Sequence, residues 1–239
     1  MRMAIVSDIH GNITALEAVL ADLRETSPDL ILHGGDLVQG GSNSPAVVDR
    51  IRELGWPGVM GNTDELLWRP ASLEEFAAQS PQLATLWAAI GEMARVEREA
   101  LGEERLGWLS SLPLAHREDS LALVHAGPSS AWRAPAPEAS DAELDAVYGP
   151  LTRPVVVYGH VHRSFVRRLP GRIVANTGSV SLSYDGDPRA AYLLLDDSEP
   201  SIRRVSYEVE REVQALSGSG IPHADWIARI LRSARPQTL

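Results

Sequence analysis

The segment Met3-Ala4-Ile5-Val6-Ser7-Asp8-Ile9-His10-Gly11-Asn12 decides the fold class of this 239-residue chain. An apolar run leads directly into the polar side chains of Asp8 and His10, and Gly11 allows a tight loop after them. In the residues that follow, apolar side chains recur at helical spacing, at Ile13, Leu16, Val19, Leu20 and Leu23. This order predicts a buried strand, a tight loop and an amphipathic helix.

The same order of elements recurs twice further along the chain. Residues 29–32 form a second apolar run before His33-Gly34-Gly35-Asp36, and residues 45–54 have the pattern of a helix. A third run, residues 57–60, leads into Gly61-Asn62-Thr63-Asp64. Alternating strands and helices predict parallel crossover connections, and ligands bind at the carboxyl ends of such strands. We therefore expect the three polar segments to lie at one rim of a sheet.

The rest of the chain divides into a helical part and a strand-rich part. Residues from about 65 to 111 are rich in Ala, Leu, Glu and Trp at helical spacing, which predicts a helical insertion within one domain covering residues 1–239. Residues 129–140 are expected to form an exposed loop, and residues 223–234 a closing helix. Short apolar runs bounded by turn residues predict strands at 113–118, 121–125, 154–159, 164–169, 172–176, 190–196 and 202–209.

The composition excludes several kinds of site. The chain contains no Cys, so disulfides and thiolate metal ligands are excluded. All its basic side chains apart from His are Arg, which excludes a catalytic lysine or a phosphate-loop lysine. The net charge of -10 makes nucleic acid an unlikely partner, because nucleic-acid surfaces are usually basic. A tight metal site in this chain must therefore use imidazole, carboxylate and amide groups.

No sequence feature points to a membrane. No apolar run approaches the roughly 18 residues of a membrane-spanning helix, and the N-terminal segment lacks the longer apolar region and cleavage site of a signal peptide. We therefore expect a cytoplasmic protein. The tryptophans of the helical stretch, Trp68, Trp87 and Trp108, are expected to pack in the core or between subunits rather than to stack on a substrate. If they are exposed, they are compatible with a homo-oligomer.

Side chains that can bind metal ions follow five of the apolar runs. Asp8 and His10 are separated by one residue, and so are His160 and His162; in an extended backbone such pairs point to the same side. The full candidate set is Asp8, His10, Asp36, Asn62, His125, His160 and His162. Two divalent ions need roughly this many ligands when one carboxylate is shared, and a site of this kind accepts Mn, Fe, Ni, Co or Zn.

The five motifs that contain these residues resemble one family. In chain order they are Asp8-Ile9-His10, Gly35-Asp36, Gly61-Asn62-Thr63-Asp64, Val124-His125-Ala126-Gly127 and Gly159-His160-Val161-His162. This order resembles the calcineurin-like metallophosphoesterase superfamily over residues 4 to about 195, and the segments 176–180 and 185–189 are similar to its small bacterial and archaeal phosphodiesterases. The resemblance implies a four-layer α/β/β/α sandwich with two mostly mixed sheets, the helical insertion being additional.

The resemblance also implies a role for each candidate ligand. Metal one is expected on Asp8, His10, Asp36 and His162, and metal two on Asp36, Asn62, His125 and His160. Asp36 then bridges the two ions, and Asp36, Asn62 and His125 form the catalytic set. A hydroxide held between the ions is expected to attack phosphorus in line. The implied activity is hydrolysis of a small phosphorylated substrate, a phosphodiester rather than a phosphomonoester.

Thr63 departs from the family pattern. The family places a histidine next to the asparagine ligand, where it is thought to protonate the leaving group, and Asp64 would orient that histidine. A hydroxyl cannot replace imidazole as a general acid near pH 7, and such a proton transfer contributes about 10²–10⁴ in rate. We therefore expect low activity on poor leaving groups. Two alternatives stay open: a metal-binding interaction module with lost or weak catalysis, and a nuclease.

Other polar residues lie outside the candidate ligand set or have a second role. Asn12 and Asn62 could contact phosphate oxygens, and Arg163 either binds a substrate phosphate through two nitrogens or lies on the surface. His33 is expected to pack or to support a ligand rather than to act in catalysis. The Glu- and Arg-rich residues 92–105 are most simply a solvated helix face with i,i+4 ion pairs.

Overall fold

The strands of the protein form two mixed sheets in the computed structural model, which describes residues 1–239. The strands are β1 (Arg2–Val6), β2 (Leu30–His33), β3 (Ala115–Arg117), β4 (Leu121–Val124), β5 (Val155–Tyr158), β6 (Phe165–Leu169), β7 (Arg172–Asn176), β8 (Ala190–Asp196) and β9 (Glu199–Val205). Their order is β2-β1-β8-β9 in the first sheet and β3-β4-β5-β7-β6 in the second.

Eight α-helices and two short 3₁₀ turns, at Pro81–Leu83 and Gly149–Leu151, cover the sheets. The helices are α1 (Ile13–Thr26), α2 (Ser44–Leu54), α3 (Asn62–Trp68), α4 (Ala71–Ala77), α5 (Ala84–Ser110), α6 (Asp141–Tyr148), α7 (Val209–Ser217) and α8 (Ala224–Ser233). No helix has both the length and the apolar character needed to cross a membrane.

The parallel strands of the two sheets bring their carboxyl ends together. β1 pairs in parallel with β2, and β4, β5 and β7 form a parallel series in the second sheet. Antiparallel strands complete each sheet: β8 and β9 in the first, β3 and β6 in the second. The loops that follow β1, β2, β4 and β5 are therefore those at which a rim site is expected.

Successive side chains along the strands alternate between the core that separates the two sheets and the cores beneath the helices, and this alternation produces the layers of the fold. In β5, Val155 and Val157 pack between the two sheets, whereas Val156 and Tyr158 pack beneath α6. Residues of β1 alternate in the same way between the inter-sheet core and the helices α1, α2 and α5. Since side chains on successive strand residues point to opposite faces, both faces of each sheet are buried. The predicted four-layer fold with two mixed sheets is confirmed.

Helices α3 to α5 occupy the segment predicted to be helical. Helix α5 has a kink at Gly102, whose backbone is not helical, with φ 70° and ψ 165°. None of the tryptophans in this segment is exposed, so the premise of exposed Trp for a homo-oligomer is not met.

Three local predictions are corrected. Residues 57–60 form no strand but a single bridge between Gly58 and His33, because the chain turns into α3 within four residues. Strand β9 ends at Val205 rather than at residue 209, since its partner β8 begins opposite it at Ala190. Helices α6 and α7 were not predicted; the signal for α6 was the capping box formed by Ser140 and Glu143.

Candidate metal centre

Loops at the carboxyl ends of four parallel strands carry six of the seven candidate ligands, and Asn62 begins α3 beside them. Backbone hydrogen bonds tie the first two loops together: Asp8 N–H donates to the Gly35 carbonyl at 3.0 Å and His10 N–H to the Asp36 carbonyl at 2.9 Å. The second sheet joins through the His160 N–H, which donates to Asp8 Oδ1 at 3.0 Å. Ligands from both sheets thus meet at one rim.

Most candidate ligands have a left-handed backbone. The φ angles are 57° at Asp8, 50° at His10, 50° at Asp36, 67° at His160 and 55° at His162. The expectation that the two D-x-H and H-x-H pairs lie on extended backbone is therefore wrong, although their side chains do converge. A non-glycine residue in this region costs about 1–3 kcal/mol and persists only where its surroundings hold it. The backbone strain at this rim is thus concentrated at the candidate ligands.

The first group of donors consists of Asp8, His10, Asp36 and His162, with ligand atoms all within 4.8 Å of one another. His162 Nε2 lies 3.0 Å from Asp8 Oδ1, and His10 Nε2 lies 3.6 Å from Asp36 Oδ2. All four side chains are buried. This set matches the expected ligands of metal one.

The second group contains Asp36, His125 and His160, with the Asn62 oxygen between the two imidazoles. Asn62 Oδ1 lies 3.1 Å from His125 Nε2 and 2.8 Å from His160 Nδ1. Asp36 Oδ1 lies 3.4 Å from His125 Nε2, so the two oxygens of Asp36 face the two different groups. Asp36 is thus placed as a shared ligand.

Hydrogen bonds to the backbone fix the tautomers of three histidines. The Nδ1 atoms of His10, His125 and His162 lie 2.8, 2.8 and 2.6 Å from the carbonyl oxygens of Gln39, Gly34 and Leu182. Because a carbonyl only accepts, each Nδ1 carries the hydrogen and a neutral ring presents a lone pair at Nε2. The Nε2 atoms of His10 and His162 are 3.1 Å apart, so a cation between them would satisfy both lone pairs. The donor set fits divalent metal ions.

Burial and charge act against each other on the carboxylates and imidazoles. Burial opposes ionisation of Asp8 and Asp36, but His162 and His125, respectively, hold the pKa of each carboxyl below its usual value. Burial would lower the pKa of His125, but the Asp36 carboxylate raises it to about 9. Burial, together with the His125 charge, lowers the pKa of His160 to about 4. A metal ion in the second group must displace a proton from His125, so its affinity falls as the pH falls.

The match to known proteins extends over most of the chain. A family model described as the calcineurin-like phosphoesterase superfamily domain matches residues 1–199. The chain belongs to the calcineurin-like phosphoesterase superfamily. The resemblance predicted from the five motifs is therefore confirmed. Members of this superfamily typically bind divalent metal ions, as the two donor groups allow.

Among related sequences, an uncharacterised protein of Methanocaldococcus jannaschii is 28% identical over an alignment 252 positions long. The alignment covers 96% of this chain and 96% of that protein. A symmetrical bis(5'-nucleosyl)-tetraphosphatase of Methylococcus capsulatus is 30% identical over 158 residues. That alignment covers 62% of this chain and 50% of the tetraphosphatase.

Two solved structures resemble the protein over nearly its whole length. A metallophosphoesterase from Sphaerobacter thermophilus superimposes with a TM-score of 0.80 at 26% identity, covering 98% of this chain and 99% of that one. A hypothetical protein from Pyrococcus horikoshii superimposes with a TM-score of 0.84 at 16% identity, covering 99% of each chain. The second likeness shows the fold alone.

Thr63, which stands where the superfamily pattern has a histidine, lines the pocket, and both its hydroxyl and its N–H are bound within the protein. Its hydroxyl donates to the Val38 carbonyl at 3.0 Å, and its N–H donates to Asp36 Oδ1 at 2.9 Å. Asp64, left without that histidine, accepts from the N–H groups of Leu37 and Gly61, each at 2.9 Å. Asp64 therefore joins the loop of Asp36 to the start of α3.

A cavity of about 280 Å³ opens above the two donor groups. Its polar floor includes His10, Asp36, Asn62, His160 and His162. Its walls include Phe76, Trp87, Trp132, Tyr184 and Trp226. Trp87 packs against the core, as expected, and it also borders the cavity. Trp132 lies in the loop after His125, and its closeness in sequence to this candidate ligand was the one sign that it borders the cavity. Nothing in the sequence indicated that Trp226 borders it too.

The structure does not bring Asn12 or Arg163 to the cavity. Asn12 is fully buried as the N-cap of α1: its Oδ1 accepts from Ala15 N–H at 2.8 Å and its Nδ2 donates to Ser181 Oγ at 3.0 Å. Arg163 is partly exposed, with an ion pair to Glu138 at 2.7 Å. Both ends of the Asn12 amide and two nitrogens of Arg163 are thus already used within the protein, since Arg163 Nε also donates to the Tyr184 carbonyl at 3.2 Å.

His33 and Glu97 are buried near the candidate metal centre, but neither lines the cavity. His33 packs against Trp108 and Gly58, neither ring nitrogen has a hydrogen-bond partner, and burial lowers its pKa to about 3. Glu97 is 2% exposed, which corrects the expectation of a solvated face over residues 92–105. Its carboxylate accepts from Gln39 N–H at 2.9 Å and Gly40 N–H at 3.1 Å, and the Ser44 hydroxyl also donates to it.

Proposed function

We propose that the protein is a metal-dependent phosphoesterase that hydrolyses small phosphodiesters in preference to phosphomonoesters. The observation that carries the proposal is the pair of donor groups sharing Asp36 on the floor of one cavity. Membership of the calcineurin-like phosphoesterase superfamily supports it. Two divalent ions would supply, when bound, a water nucleophile of lowered pKa and positive charge for the phosphoryl oxygens.

The residues of the chain divide the remaining work. Asp8, His10 and His162 would hold one ion, His125, His160 and Asn62 the other, and Asp36 both. The Oδ1 of Asn62 faces the imidazoles of His125 and His160, which leaves its amide nitrogen free to donate to a phosphoryl oxygen. Asn62 would thereby orient the phosphate as well as bind the metal.

The surroundings of the leaving group favour a phosphodiester with a good leaving group. The histidines that line the cavity are His10, His160 and His162, all of them expected ligands, and the Thr63 hydroxyl is bound to a backbone carbonyl. A leaving group must therefore depart without an imidazole general acid. No Arg lines the cavity, so a diester with one negative charge is favoured over a monoester dianion.

Two other functions rank below this one. The relatives named symmetrical bis(5'-nucleosyl)-tetraphosphatases suggest a substrate with a chain of phosphates, but the cavity wall offers no cationic side chain for it. The bound Thr63 hydroxyl favours a metal-binding module with weak catalysis. Retention of the whole donor set argues against that module.

A reconstitution assay tests the proposal. Protein stripped of metal would be loaded with Mn²⁺, Ni²⁺ or Co²⁺ and assayed with bis-p-nitrophenyl phosphate and p-nitrophenyl phosphate, with Asp36→Asn as control. We expect turnover well above the control and a higher kcat/KM for the diester. Turnover equal to that of the control would refute the enzyme proposal and support the metal-binding module instead. Cleavage of a labelled oligonucleotide with strong salt dependence would support a nuclease instead.

A further inference from the structure

We propose that the aromatic wall of the cavity, formed by Phe76, Trp87, Trp132, Tyr184 and Trp226, selects a phosphodiester with an aromatic ester group and excludes polyphosphate chains. This inference rests on the proposed function, because it names the class of substrate for the same site. Five separate parts of the chain build the wall: α4, α5, the loop after β4, the Tyr184 segment between β7 and β8, and α8.

The aromatic wall is continuous with the metal-binding floor. The ring of Tyr184 stacks on the candidate ligand His162 with centroids 4.7 Å apart and planes at 27°. In the rest of the wall, the Phe76 ring packs edge to face against Trp87, with ring centroids 5.6 Å apart. It also packs against Trp132, with ring centroids 5.1 Å apart. A phosphate on the floor therefore places its ester group among ring faces and edges, which attract other aromatic groups.

The polar edges of the three indoles are occupied elsewhere. Trp87 Nε1 donates to the Ser80 carbonyl at 3.1 Å, Trp132 Nε1 to Glu65 Oε2 at 2.9 Å, and Trp226 Nε1 to the Gln237 carbonyl at 2.8 Å. These bonds fix the rings and leave no indole donor for a substrate. The aromatic wall thus offers apolar surface, which suits an aryl group better than a ribose or a second phosphate.

Charge around the cavity excludes a phosphate chain. None of the residues that line it is Arg, and the chain contains no Lys. Arg163 Nε donates to the Tyr184 carbonyl at 3.2 Å and Arg133 lies 5.8 Å from the Phe76 ring centroid, but neither arginine lines the cavity. Each additional phosphate would lose its hydration against apolar rings without gaining a counter-charge. The volume, about 280 Å³, suits one small organic group beside the phosphate.

A matched pair of inhibitors tests the inference. Phenylphosphonate and methylphosphonate carry the same charged group and differ only in the part that would reach the aromatic wall. Competition against bis-p-nitrophenyl phosphate hydrolysis by the metal-loaded enzyme should give a Ki for phenylphosphonate at least about tenfold lower than that for methylphosphonate. Trp87→Ala and, independently, Trp226→Ala should reduce that ratio toward one. Trp68→Ala, a tryptophan that does not line the cavity, should retain it.

The outcomes separate this inference from the proposed function. Equal inhibition by both phosphonates with hydrolysis intact overturns the inference alone. A higher kcat/KM for diadenosine tetraphosphate than for bis-p-nitrophenyl phosphate overturns it as well. Absence of hydrolysis overturns the proposed function, and calorimetric binding of the two phosphonates to the metal-loaded protein then decides the inference: a tenfold preference for the phenyl compound supports it, and equal affinity refutes it.

Discussion

The Nε2 atoms of His10 and His162 lie 3.1 Å apart although both rings donate their Nδ1 hydrogens to backbone carbonyls. Two neutral imidazoles in these tautomers cannot hydrogen-bond to each other through Nε2. Their approach is stable when a cation accepts both lone pairs, and Asp8 and Asp36 supply the charge that such an ion needs. This contact between two loops, one from each sheet, supports the proposed site of the first ion.

Thr63→His should restore a proton donor beside Asn62. We expect kcat for alkyl phosphodiesters, which have poor leaving groups, to rise by about 10²-fold, because general acid catalysis matters most where the leaving group is basic. Hydrolysis of p-nitrophenyl esters should change by less than about threefold, since p-nitrophenolate departs without protonation. Steady-state kinetics on both substrate types measure the difference. An equal change for both would mean that another group already supplies the proton.

Glu97→Ala should loosen the loop that orients His10. The substitution leaves the buried Gly40 N–H without its acceptor and the Gln39 N–H with Ser44 Oγ alone, which costs about 1–3 kcal/mol of unfolding free energy. Because the Gln39 carbonyl holds His10 Nδ1, affinity for metal one should fall as well. Urea denaturation and metal titration measure the two effects. Glu99→Ala, an exposed glutamate on the same helix, serves as control, and equal stability of both variants would contradict this role of Glu97.

His33 should make the unfolding free energy depend on pH. Its pKa is lowered by burial to about 3, whereas the unfolded chain has the ordinary value of 6.5. Below pH 6.5 the unfolded state therefore binds a proton that the folded state does not, and stability falls as the pH falls. At pH 5 the loss amounts to about 2 kcal/mol. Denaturation of wild type and His33→Leu in EDTA between pH 5 and 8 measures it, and parallel pH profiles would contradict it.

The sequence predicted which candidate ligands would converge because six of the seven follow an apolar strand, and parallel strands place their carboxyl ends at one rim. It did not reveal the left-handed backbone at Asp8 or His160, which depends on hydrogen bonds between loops distant in sequence. Glu97 lies in a Glu- and Arg-rich stretch that is typical of a solvated helix, yet the loop at Gln39 and Gly40 folds over it. Trp226 reaches the cavity only through the packing of α8.

The metal content of three proteins tests the shared ligand most directly. Wild type, Asn62→Ala and Asp36→Ala would be loaded with Mn²⁺, freed of excess metal and measured by elemental analysis, with circular dichroism to verify folding. We expect two ions per chain in wild type, one in Asn62→Ala, which keeps the Asp8, His10, Asp36 and His162 group, and close to none in Asp36→Ala. Equal metal content in wild type and folded Asp36→Ala would contradict a two-ion centre bridged by Asp36.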